Sequence, residues 1–154
     1  MTKLLKKNKN FELKSKIVNT LMINGKKKTS EKILLKSVKL VQKSTNKNFK
    51  SLLTLSLINS APAFKINEQV VKKGKRKAVR NIPAFIMSDY LRITNALKST
   101  KNLVFSNRNS TSFYEAFVKE ILASASLKSQ IIDRKNELQK QVLINRRYLS
   151  KFRW

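Results

Sequence analysis

Thirty-five lysines and arginines stand against eight acids in this chain, a formal net charge of +27. Nothing else in the sequence constrains the fold as strongly. Cations in that number cannot be buried unpaired, and there are too few carboxylates to pair them. Every element must therefore carry its basic residues outward, and the compact state forms against its own field. Such a chain calls for a polyanion to neutralise it. Its apolar fraction of 41% is enough for a core, which argues against wholesale disorder. A length of 154 residues suits one domain over 1–154.

The same counts exclude whole classes of chemistry. With no Cys there is no disulfide, thiol nucleophile or zinc site built on Cys ligands. With no His there is no imidazole base and no switch near neutral pH. Two glycines, Gly25 and Gly74, cannot build a phosphate-cradling loop or a dinucleotide turn. The longest apolar runs are only a few residues, so no membrane span is expected. The sequence thus predicts no enzyme, no cofactor, no metal and no small-molecule substrate. Lys outnumbers Arg 27 to 8, and Asn (15) and Ile (12) are abundant. These are residues of A/T-rich codons, which points to an organellar genome or an A/T-rich bacterium. The segment Met1–Lys16 has no apolar run for a secretory signal and no Arg for a mitochondrial presequence. A protein made inside an organelle needs neither.

Along the chain, residues 1–12 form a basic N-terminal arm. Leu13, Ile17 and Leu21, with Val18 and Met22, recur at four-residue spacing and mark a first helix, which Asn24–Gly25 ends. Thr29 or Ser30 is placed to cap a second helix, with Glu31 in its first turn and Ile33, Leu34, Ser37, Val38 and Val41 on its inner face. After a polar loop over 42–48, Phe49, Leu52, Leu53, Ser56 and Leu57 mark a third helix, ending before Ala61–Pro62. The pattern then turns to β-type residues. Residues 64–82 read as a β-hairpin whose tip runs Lys72–Lys73–Gly74–Lys75–Arg76–Lys77. An isolated two-stranded ribbon is marginal in water, so a partner is expected to hold it. A fourth helix is expected from about Ser88, with Tyr90, Ile93 and Leu97 on one side. A loop over 106–112 leads to Ser112–Glu115, a capping-box pattern opening a fifth helix. A sixth runs from about Asp133 through Leu138 and Val142 to Leu149. The predicted fold class is all-α, about six helices, with a protruding basic β-hairpin between the third and fourth.

Most Lys runs in proteins are solvated faces. Here several of them sit on protruding elements in a chain with almost no acids, and polyanion binding is the stronger reading. Phe11, Phe49, Phe64, Tyr90, Phe113 and Phe117 fall on apolar faces and are read as core. Tyr148, Phe152 and Trp154 lie among Arg146, Arg147 and Arg153, where base stacking and packing are both open.

Residues 16–29, KIVNTLMINGKKKT, resemble the first helix and turn of the small-subunit ribosomal protein seven family. Lys16, Val18, Asn19, Leu21, Met22, Gly25, Lys26 and Lys27 match its pattern, with Asn24 in place of Asp. Glu120–Ile121–Leu122 is similar to the family's fifth-helix segment. Residues 131–145 run without a gap along its last helix, and Arg146, Tyr148 and Phe152–Arg153–Trp154 resemble its closing elements. The departures are specific. The family's two His residues near the end are absent, with Gln139 and Lys151 in or near their places. The hairpin lacks a Gly–Gly pair and is longer. The basic residues early in the fourth helix are thinned to Arg92. The chain stops at Trp154, short of the tail many bacterial members carry, which with the composition favours a mitochondrial member over a plastid or bacterial cytoplasmic one.

The resemblance implies a structural constituent of the small ribosomal subunit. Such a protein binds the 3′ major (head) domain of small-subunit rRNA and helps nucleate head assembly. It implies a hairpin near the exit-site tRNA and the mRNA path, ribosomal protein eleven among the neighbouring proteins, and no membrane. The candidate RNA contacts are the arm (Lys3, Lys6, Lys7, Lys9), the first turn (Lys26, Lys27, Lys28) and the hairpin (Lys72, Lys73, Lys75, Arg76, Lys77, Arg80). Arg92, Arg134, Lys135, Arg146, Arg147 and Arg153 are added with lower rank. A free-standing basic architectural or nucleoid protein is the alternative. A membrane-surface binder fits the second helix but gives the hairpin no role.

Overall fold

Residues 13–45, 48–73, 76–107 and 112–151 are described by the structure, a computed structural model; at 71, 73, 76, 78 and 149–151 the backbone alone is described. The order is α1 (Leu13–Leu21), α2 (Lys27–Ser44), α3 (Phe49–Ser60), β1 (Phe64–Lys73), β2 (Arg76–Phe85), α4 (Asp89–Ser106), α5 (Phe113–Ala125) and α6 (Gln130–Ile144). A 3-10 helix, Arg146–Lys151, follows. The helices and the hairpin between α3 and α4 match the expected class.

The apolar stripes do what their spacing demands. Ile17, Val18 and Leu21 of α1, Leu34 of α2, Leu53 and Leu57 of α3, and Ala96, Leu97 and Val104 of α4 pack in one cluster with Phe117 and Ile121 of α5. Phe117 is the largest fully buried side chain, a burial that contributes roughly 2–3 kcal/mol. Phe113 bridges Phe117 (centroids 6.1 Å) and Phe105 of α4 (4.9 Å), tying α4 to α5. Small polar residues let the helices approach closely. Ser37, Ser60 and Thr100 are buried, and each returns its hydroxyl proton to the carbonyl four residues back, at 2.9, 2.7 and 3.0 Å. No hydroxyl in that set is left unpaired by burial.

The hairpin pairs in continuous antiparallel register from Phe64↔Phe85 to Lys73↔Arg76. It extends three residues past the expected end at 82. Pro83 does not stop it, because each strand of a two-stranded ribbon has an outward edge where a missing N–H is harmless. Ile86 N–H donates to Ala63 O at 2.9 Å and carries the pairing to the root. There Phe64 and Phe85 meet edge to face, with centroids 5.6 Å apart. α6 packs against β1, and the 3-10 helix packs against β2. The ribbon's root is therefore held by its own chain.

Several boundaries differ from the sequence reading. α2 starts at Lys27, not after Thr29 or Ser30, and runs to Ser44, which shortens the loop expected over 42–48. The cause is the turn: Asn24 (φ 51°) and Gly25 (φ 72°) are both left-handed, and the chain re-enters the helical region at once. α6 begins at Gln130 because Ser129 caps it, accepting from Ile131 N–H at 3.0 Å. It ends at Ile144, so Leu149 lies in the 3-10 helix and not on α6. Ser112 stands at the N-cap of α5, but its hydroxyl is buried without a hydrogen-bond partner. Only its carbonyl serves the helix, accepting from Glu115 and Ala116. Tyr90, read as core, is 49% exposed.

Candidate nucleic-acid interface

The first basic group lies at the α1–α2 turn. Lys26, Lys27 and Lys28 are all exposed. They occupy the N-cap and the first two positions of α2, which has no side-chain cap and no acid in its first turn. The positive end of the helix dipole and three ammonium groups thus share one place. That arrangement opposes folding and suits phosphate oxygens.

The hairpin is the second group. Lys72 lies directly opposite Lys77, and both are exposed. The two-residue period places Lys65 and Arg80, also exposed, on the other face. Both faces of the ribbon are cationic, and Glu68 is its one acid. Val70 and Val79, paired in register and each 60% exposed, separate the distal lysines from the root.

A third group is absent from the sequence reading. Between α1 and α4 lies a cleft of about 500 Å³ lined by Lys16, Asn19, Tyr90, Thr94, Lys98 and Lys101 among others, and no carboxylate lines it. The Lys16 ammonium sits 3.1 Å from the centre of the Tyr90 ring, a cation–π contact that holds the half-exposed ring in place. Lys101 is engaged within the fold. Its ammonium donates to Thr20 O (2.7 Å) and Met22 O (3.4 Å), closing the C-terminal end of α1. The signal is present in the sequence as Thr94, Lys98 and Lys101 at i, i+4 and i+7. It is a helical-face pattern, invisible to a search for consecutive lysines.

The lower-ranked residues separate. Arg134, Arg146 and Arg147 are exposed, and the Arg147 guanidinium lies 4.9 Å over the Tyr148 ring. Arg92 is half-buried; it reaches Asp89 at 3.4 Å, and its Nε is buried without a hydrogen-bond partner. Lys135 donates to Asn59 O at 2.7 Å, and the Asn59 amide donates to Ser124 O and Ala125 O at 3.1 and 3.3 Å. This chain of bonds ties α6 to the end of α3 and α3 to the end of α5. Burial, and then the nearby Arg92 charge, push the Lys135 pKa down. Lys3, Lys6, Lys7, Lys9, Lys75 and Arg153 lie outside the described residues, and Lys73 and Arg76 are placed by strand register alone.

The arrangement offers cationic surfaces, a turn, a ribbon and a cleft. Among the described residues there is no cluster of acids that could hold a metal ion. No described helix is long and apolar enough to cross a membrane. The family model of ribosomal protein S7p/S5e matches residues 2–146. The chain belongs to that family. It is similar to the small ribosomal subunit protein uS7 of Mycoplasma mobile, with 24% identity over 148 residues, covering 91% of this chain and 85% of the relative. As a member of the S7p/S5e family it is a structural, non-enzymatic constituent of the small ribosomal subunit, with rRNA and ribosomal proteins as its partners. The matched span includes the helix-turn signature at 16–29 and all of α6.

Proposed function

We propose that the chain acts as one unit that binds the 3′ major domain of small-subunit rRNA and helps nucleate the head of a mitochondrial small subunit. The observation that carries this reading is the ribbon, charged on both faces and rooted on α6 and the 3-10 helix. Phosphates can approach such an arm from either side. Lys26–Lys28, Lys72, Lys73, Lys75, Arg76, Lys77 and Arg80 are its main phosphate contacts. The Lys16–Lys98 cleft, Arg134, Arg146, Arg147, Arg153 and the arm lysines widen the surface. Lys135 and Arg92 act mainly inside the fold. The resemblance supports an exit-site position for the hairpin, beside ribosomal protein eleven, tRNA and mRNA. The A/T-type composition supports the mitochondrial origin.

The test is salt-dependent binding to a 3′ major domain transcript. Replacing Lys72, Lys73, Lys75, Arg76 and Lys77 with Ala is expected to flatten the log–log salt slope by about 0.7–0.9 for every phosphate no longer engaged. An unchanged slope would remove the hairpin from the RNA interface. Recovery of the native protein with bulk DNA, and not with the small subunit, would instead favour a nucleoid role.

A further inference from the structure

The cleft between α1 and α4 differs from the turn and the ribbon in being recessed. It runs along α4 from Tyr90 to Asn102, about 18 Å at 1.5 Å per residue. Its volume of about 500 Å³ is that of a site able to enclose a small molecule. A phosphate contact on an open surface needs no such space. The lining also holds more than charge. Asn19 of α1 and Asn102 of α4 are exposed and bring two carboxamides to the cleft. Each caramide group carries donors and an acceptor, whereas phosphate oxygens, being acceptors, would use only the donors.

The lining lysines fall into two kinds. Lys16 is engaged with the Tyr90 ring, and Lys101 with the carbonyls of Thr20 and Met22. Lys98 is exposed, and among the described residues it has no hydrogen-bond or ion-pair partner. The same holds for the side chains of Asn19 and Asn102. Three unengaged polar side chains thus line a cleft whose walls are fixed by two engaged lysines and which no carboxylate lines. The cleft also adjoins the phosphate surface. Lys101 is bonded at the end of α1, and Lys26–Lys28 follow that end across Asn24–Gly25. A strand held at the turn can run on into the cleft.

We propose that the cleft seats one unpaired nucleotide of the rRNA, with its phosphate on Lys98 and its base edge on the Asn19 and Asn102 carboxamides. Bases inside a duplex are stacked and paired, and groups recessed between two helices cannot reach them. An unpaired nucleotide can be splayed out and read along its base edge in such a recess. The turn and the ribbon hold phosphates and carry no sequence information; the cleft adds selection for one irregular point in the RNA. This rests on the rRNA-binding reading and deepens it.

The experiment measures binding of the full chain to a 3′ major domain transcript across a salt series. The double change Asn19→Ala, Asn102→Ala is expected to weaken binding about five- to tenfold. It should leave the log–log salt slope unchanged, because it removes hydrogen bonds and no charge. Lys98→Ala is expected to weaken binding and to lower the slope by about 0.7. Circular dichroism checks that these exposed substitutions leave the helices intact. As a second measurement, the photocrosslinker p-benzoylphenylalanine at Asn102, in the reconstituted small subunit, is expected to mark one short unpaired stretch of rRNA. Altering the transcript so that this stretch is base-paired should weaken the native chain by the same factor and leave the double Asn variant little changed. Unchanged affinity of the double Asn variant would overturn the proposal, as would crosslinks confined to paired nucleotides or to protein. The hairpin alanine set reports separately on RNA binding itself, so the failure of one reading is distinguishable from the failure of the other.

Discussion

Leu127 sits at φ +62°, where the Cβ of an ordinary residue is crowded. It ends α5 with a paired closure: Lys128 N–H donates to Ala123 O at 2.8 Å, and Leu127 N–H donates to Ser124 O at 3.3 Å. Glycine is the usual residue at such a position. The leucine side chain is 63% exposed and gives little burial in return. Leu127→Gly is therefore expected to raise the unfolding free energy by about 1 kcal/mol, read from urea denaturation. A loss of stability would mean that the side chain packs against something. Lys135 shows the opposite economy, a cation drawn inward to satisfy the end of α3. Its pKa is lowered from 10.5, first by burial and then by Arg92. Between the lowered value and 10.5 the unfolded chain keeps a proton that the folded chain has released, so this residue makes stability rise with pH in that window. Below the window the charged form and its penalty are fully present. Lys135→Met is expected to cost about 1–3 kcal/mol near neutral pH, through the orphaned Asn59 carbonyl. It should also flatten the rise at alkaline pH relative to the native chain. An unchanged pH profile would show that the ammonium is not felt by the fold.

At the scale of elements, the hairpin sets stability against binding. Lys72 and Lys77 lie directly opposite each other, and like charges in that relation are destabilising. Lys72→Glu turns the repulsion into an attractive cross-strand pair, worth about 0.2–1 kcal/mol. The expected result is slower hydrogen exchange in the ribbon together with weaker RNA binding and a shallower salt slope. Slower exchange with unchanged RNA affinity would place Lys72 away from phosphate. The ribbon is legible in the sequence because β-type residues flank a glycine in a basic run. Its extension through Pro83 is not legible, since a proline reads as a stop until the strand is known to have a free edge. α1, α3 and α5 are legible from four-residue apolar spacing, because one face of each meets the core. The starts of α2 and α6 escape for different reasons. α2 opens straight from a left-handed turn with lysine at its cap, against the usual preference. α6 takes its cap from Ser129, four residues before Asp133. The cleft between α1 and α4 escapes because it is assembled from two polar helix faces far apart in sequence. Neither face stands out alone, and only packing brings Lys16, Tyr90 and Lys98 together.

For the whole molecule, +27 decides how fold and function respond to the same solution. The described basic residues are mostly exposed, and the sequence holds only eight carboxylates to offset them. Self-repulsion between exposed charges is screened by salt, over a Debye length that shrinks from about 10 Å at 0.1 M to about 3 Å at 1 M. The free protein should therefore become more stable as sodium chloride is added, with a rising melting temperature over that range. Binding to rRNA should respond in the opposite direction, because each phosphate contact releases counterions that salt makes harder to release. The two opposed slopes come from one set of lysines. Substitutions that remove positive charge, such as the hairpin alanine set, should flatten both together. A melting temperature that falls with salt would mean that attractive ion pairs, not repulsion, dominate the folded surface. Short polyanions add the decisive comparison. An rRNA fragment at low salt should raise the melting temperature more than the same phosphate concentration supplied as inorganic phosphate, and should add helical signal in the far ultraviolet. Mobile anions can only screen the repulsion, whereas a folded RNA also holds the ribbon and the α2 turn in place.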